Sequence, residues 1–183
     1  MTAKKSHEKF DPIFSPMKDN PPLESLIIDL SSHDDTTRVR ARLSLVAMGR
    51  AAVPLLTEAL KDENQLMRWE AAKALGEIGA PESAPALVDA LENEEFDVRW
   101  LAAEALVRMS IRALKPLLHA LMNRGDSELL REGAHHVIHD LNKGALKKYL
   151  EPVHAALNDV KPRLEAPWAA RRALEELEKS MKL

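Results

Sequence analysis

The chain has no cysteine among its 183 residues, and only 4% of them are aromatic. Without thiols it cannot be a disulfide scaffold, hold zinc or an iron–sulfur cluster by thiolates, or use a cysteine nucleophile, and a reducing compartment suits it. Long apolar runs are missing as well. Nothing approaches the ~20 residues that span a bilayer, and the opening MTAKKSHEKFDPIFSP lacks the apolar core of a secretory signal. Nor is there a basic excess: 26 Lys and Arg stand against 29 Asp and Glu, with a pI near 6.2. That balance argues against a generally basic nucleic-acid binder. The expectation is a cytoplasmic protein with no membrane or nucleic-acid partner, and the length suits one domain.

What the sequence does hold is an internal repeat. Leu66-Met67-Arg68-Trp69-Glu70-Ala71-Ala72-Lys73-Ala74-Leu75-Gly76-Glu77-Ile78-Gly79 recurs without gaps as Asp97-Val98-Arg99-Trp100-Leu101-Ala102-Ala103-Glu104-Ala105-Leu106-Val107-Arg108-Met109-Ser110. Weaker copies run from Thr37 to Gly49 and from Leu130 to Asn142, and a last one, Trp168 to Leu177, has Pro167 where the others have arginine. A second apolar segment follows each of the first four copies: Ala52–Leu60, Ser83–Leu91, Ala113–Leu121 and Tyr149–Leu157. Apolar residues recur at spacings of three and four, the helical period. Asp34, Asn64, Glu95 and Ser127 are positioned as N-caps, Glu95 being the poorest. Gly49, Gly79, Ser110 and Asn142 follow the first helices, where Gly or Asn can take a left-handed turn, and prolines are expected in the first turn of the second helices. The unit is helix, short turn, helix, short loop. Residues 1–22, with Pro12, Pro16, Pro21 and Pro22, read as a flexible tail. Residues 23–183 read as one domain of about four to five units, opened by a half-unit at Leu23–Leu30 and closed by a charged helix at Ala169–Lys182.

The pattern Val/Met-Arg-x-x-Ala-Ala-x-Ala-Leu-x-x-Ile/Met-Gly, followed by Pro-x-Leu-x-x-Ala-Leu, resembles the short HEAT-like repeats first grouped with phycobilin lyases. The resemblance covers roughly residues 23–178. It implies an all-α, right-handed α-solenoid of antiparallel helix pairs whose second helices line a concave binding surface. Relatives of this build include bilin lyases, iron-dependent deoxyhypusine hydroxylases and adaptor proteins. The hydroxylases hold iron through repeated His-Glu pairs, whereas here the only such pair is His7-Glu8 in the tail.

At about 100° per residue, Arg68 falls inside the apolar arc of its helix, where a charge is costly unless paired. Arg68, Arg99 and Arg131 are therefore expected to form a structural ladder with acidic residues at the repeat boundaries, among them Asp62, Glu94 and Asp126. In the first unit either Arg38 or Arg40 can fill the position. Trp69, Trp100 and Trp168 share one repeat position at the edge of the arc. They either cover the seam between repeats or form a recognition stripe. Glu132, His135, His136 and His139 recur at helical spacing, either as a locally hydrogen-bonded group without metal or, through Glu132, His135 and His139, as candidate metal ligands.

The second helices present Glu58, Lys61, Asp89, Glu92, His119, Met122 and His154, the candidate partner-binding residues of the concave face. Residues 51–142 carry a net −7, against +1 before and +3 after them, which favours a protein partner over a phosphate backbone. The expected function is a non-catalytic protein–protein interaction scaffold, monomeric or weakly dimeric, with no catalytic residue and no cofactor. The resemblance also leaves open a phycobilin-lyase-like or chaperone-like accessory factor for a pigment or cofactor protein. Behind that stands a DNA-alkylation-repeat-like nucleic-acid binder.

Overall fold

The structure is a computed structural model that describes residues 21–181. The tail residues 1–20, including His7-Glu8 and the Phe10–Phe14 segment, lie outside the described residues. Helices α1 (Leu23–Asp29), α3 (Val53–Ala59), α5 (Ala84–Ala90), α7 (Ile111–Arg124) and α9 (Lys147–Leu157) alternate with α2 (Asp35–Met48), α4 (Gln65–Ile78), α6 (Phe96–Met109) and α8 (Glu128–Leu141), and α10 (Pro162–Met181) ends the chain. Among the described residues there is no strand. The first helices of the units form one layer, α2 against α4, α4 against α6 and α6 against α8, while α5 and α7 lie side by side in the second layer.

Local chemistry sets the boundaries. The Asp34 side chain accepts from Thr37 N at 2.8 Å, Asn64 from Leu66 N at 2.9 Å, and Ser127 from Leu130 N at 3.3 Å, each satisfying an N–H that the first turn leaves unpaired. Glu95 makes no such bond. The Asp34 carboxyl is held below its usual range, first by the Thr37 hydroxyl. Gly49, Gly79 and also Ser110 end their helices at φ of 61°, 63° and 55°, whereas Asn142 stays at −73°. Short 3₁₀ turns at Gly49–Ala52 and Pro81–Ser83 precede α3 and α5, which puts Pro54 and Pro85 in the first turn. In α7 the four residues after Ser110 are already α-helical, so Pro116 sits a turn inside the helix, and Pro152 likewise lies inside α9. The expectation of first-turn proline is corrected for these two.

One buried cluster runs through both layers. Small residues are buried where α4 packs on α6: Ala71, Ala72 and Ala74 of α4, and Ala102, Ala103 and Ala105 of α6. Gly76 brings the two backbones closer still, since a Cβ there would lie 2.9 Å from Ala105 Cβ. Gly133, in the middle of α8, has a similar role: its face rests on Leu91, 2.9 Å from where a Cβ would stand.

The last helix departs from the repeat. Its letters match a first helix, yet α10 packs along α7 and α9 in the second layer. It starts at Pro162 rather than near Ala169, and it runs antiparallel to α7, with Pro167 against Gly125 at one end and a 3.0 Å Lys115–Glu178 ion pair at the other. The Lys148 ammonium beside Tyr149 of α9 lowers the phenol's pKa, with a smaller contribution from Ser180 of α10. The buried stripe Ala166, Ala170, Ala173, Leu174, Leu177 is narrow and mostly small, which lets α10 fit beside two helices.

Candidate functional site

The exposed side of the second-helix layer is built from the last turns of α3, α5 and α7, with α10 alongside. Glu58 and Lys61 pair with each other at 3.1 Å. Asp89 and Glu92 are bridged by Arg124 from the neighbouring helix, at 2.8 and 2.6 Å. Arg124 was not among the residues singled out in the sequence; thirty-odd residues separate it from its partners, and only the side-by-side placement of α5 and α7 joins them. The acidic row is thereby largely compensated. Between α5 and α7 lies an open groove lined by the apolar Pro85, Val88, Pro116 and Ala120 and by the polar Asp89, His119, Asn123 and Arg124. His119 is exposed, whereas Met122 is partly buried against the core.

Beyond α7, α10 adds Leu164 and Trp168 to this layer, 52% and 69% exposed. Trp168 carries the Arg171 guanidinium over its ring at 5.9 Å. It does not extend a row with Trp69 and Trp100, because α10 stands in the other layer. Trp69 is half-buried beneath Lys73, and Trp100 lies between Phe96 and His136.

His154 also leaves the row expected of it. It faces α8, where its Nε2 is 3.3 Å from His139 Nδ1, and its ring is 5.3 Å from those of both His135 and His139. Asn158 completes this group, 3.1 Å from His135 Nε2. The four-residue string Glu132, His135, His136, His139 is thus divided. Glu132 is exposed, and His135 and His139 turn towards α9. His136 turns the other way, towards α6, where Glu104, His136 and Asp140 are the group whose ligand atoms are close enough to hold an ion.

Arg38, Arg68, Arg99 and Arg131 repeat one contact. Each donates from Nη1 to a carbonyl six residues earlier: Ser32 O at 2.7 Å, Asp62 O at 2.9 Å, Asn93 O at 2.8 Å and Gly125 O at 2.8 Å. The cation serves the carbonyls that the preceding second helix leaves unpaired, where the helix dipole also favours it. A carboxylate of the next unit is reached by Arg68, at 2.9 Å from Glu94, and by Arg38, at 3.5 Å from Glu70. For Arg99 and Arg131 the expected carboxylate partner is replaced by backbone. The most buried ionic group among the described residues joins α2 to α4: Arg42 bonds to Glu70 at 2.9 Å and to Glu77. Its signal was present, since Arg42 stands where the clear repeats have Ala72 and Ala103.

Among the described residues no helix is long and apolar enough to cross a membrane. Two stacked layers of antiparallel helix pairs, repeating one arginine-capped joint, define a helical-repeat protein of the α-solenoid class. Residues 23–107 match the family model of HEAT repeats. Over those residues the chain is similar to HEAT-repeat proteins. No curated protein matches the sequence.

Proposed function

We propose that the protein is a non-catalytic scaffold that binds a protein partner across its second-helix face. HEAT repeats commonly serve as protein-interaction scaffolds, and a rigid stack offers an extended surface with little ordering cost on binding. The observation that carries the reading is the α5–α7 groove, lined by apolar side chains together with charge and imidazole. It suits one apolar anchor side chain flanked by polar contacts, the usual anatomy of an interface centre. Because Arg124 already compensates Asp89 and Glu92, a partner of mixed charge fits better than a strongly basic one. Leu164 and Trp168 extend the same layer with further apolar surface. Glu58 and Lys61 at the end of α3 belong to the same layer, Met122 of α7 packs on the core, and His154 is set aside because it faces α8.

The test compares partners captured by the wild-type chain with those captured by Asp89→Lys/His119→Glu and by an outer-layer variant, Val39→Lys/Leu43→Lys. Partners identified by mass spectrometry should be lost from the first variant and kept by the second. The reverse pattern would place binding on the first-helix layer and end the proposal.

A further inference from the structure

Glu104 of α6 meets His136 and Asp140 of α8 on the first-helix layer, one ligand-capable atom of each lying within 4.8 Å of those of the other two. His136 and Asp140 are four residues apart, so they share one face of their helix. All three are half-buried. A 3.0 Å contact from His136 Nε2 to Glu104 Oε1 accounts for two members of the group. It does not account for Asp140, whose carboxylate has no hydrogen bond or ion pair among the described residues. Two carboxylates therefore stand beside one imidazole with no lysine or arginine paired to either. Like charges brought this close out of bulk water repel, and a cation between them removes the repulsion.

We propose that Glu104, His136 and Asp140 form a binding site for one divalent transition-metal ion of the zinc class, clasping α6 to α8. Bonds near 2.1 Å in a tetrahedral site hold ligand atoms about 3.4 Å apart. The present spacing approaches that, and two of the three ligands come from a single helix turn. One nitrogen with two carboxylate oxygens suits zinc, whereas magnesium takes oxygen ligands and keeps its waters. Three protein ligands leave a coordination position for water or a partner's side chain. Trp100 packs on His136 with ring centroids 4.7 Å apart, covering one side of the imidazole. The group differs from Glu132, His135 and His139, the candidate ligands that spacing alone offers. Helix spacing brings His135 and His136 equally near a metal, and only the packing of α6 on α8 shows which of them has carboxylates in reach.

The experiment is calorimetric titration of the full chain with zinc chloride, with magnesium chloride for comparison. One saturable zinc site is expected, with magnesium binding at least about tenfold weaker. Glu104→Gln keeps an oxygen to accept from His136 but loses the charge, and Asp140→Asn does the same at the third ligand. Each should weaken zinc about tenfold or more, while the metal-free melting temperature, with the carboxylate repulsion relieved, should not fall. His139→Ala should bind zinc as the wild type does. Absence of saturable heat at millimolar zinc would overturn the proposal, leaving a hydrogen-bonded His136 alone. Wild-type affinity in both carboxamide variants, with loss in His139→Ala, would overturn it by moving the ion to the His135, His139 and His154 group.

Discussion

Glu70 is 1% exposed, yet it sits on a helix face that the amphipathic pattern of α4 marks as polar. The face is buried because α2 packs over it, and the charge is tolerated because Arg42 and Arg38 both reach it. Removing one partner of a buried pair leaves the other desolvated and unpaired, at a cost of about 3–5 kcal/mol. With Arg38 still 3.5 Å away, Arg42→Met should cost about 3 kcal/mol, the lower end of that range. The double variant Arg42→Met/Glu70→Leu should regain most of it. Urea denaturation measures both, and an unchanged midpoint for the single variant would show that the pair is not buried as described. At this scale the sequence was partly legible. Arginine inside the apolar arc announced the repeating joint, but not that backbone carbonyls would satisfy it, because a side chain's position on a helical wheel says nothing of the carbonyls at the end of a neighbouring helix.

Between elements, close approach depends on small residues. Gly76→Ala would gain about 1 kcal/mol of helix propensity, but it puts a methyl 2.9 Å from Ala105 Cβ, and overpacking of this kind costs about 1–3 kcal/mol. We expect the clash to win and Tm to fall by about 2–4 °C. Restoring space with Ala105→Gly should remove the steric part of that loss, and a rise in Tm for Gly76→Ala would mean that α4 and α6 stand further apart. The paired helices and three of the four first-helix N-caps were readable because caps and period are local. The placement of α10 was not. Trp168 to Leu177 carries the first-helix letters, but Pro167 replaces the arginine that ties each first helix to the carbonyls before it. Its ring lies instead against Gly125, and the helix settles in the other layer. Which layer a helix joins depends on contacts distant in sequence, and those are invisible to a repeat alignment.

Over the whole molecule, the first-helix layer runs unbroken from α2 to α8, while α10 closes the second-helix layer beside α7 and α9. Among the described residues α10 borders the proposed binding face, exposing Leu164 and Trp168 there, and the proposed metal clasp lies on the opposite layer. Of the candidate face, Glu58, Lys61, Asp89, Glu92 and His119 were legible as outward positions of second helices. Arg124 and the α10 contribution were not, because both depend on which helices become neighbours. Zero-length coupling of lysine to carboxylate with a carbodiimide, at high dilution and read by peptide mass spectrometry, tests that arrangement most directly. Local pairs such as Lys61 with Glu58 and Lys179 with Glu176, at 3.1 and 2.7 Å, should couple and serve as controls. Our account predicts an additional intramolecular bond between Lys115 and Glu178. Coupling of the local pairs without any Lys115–Glu178 link would contradict it and return α10 to the first-helix layer.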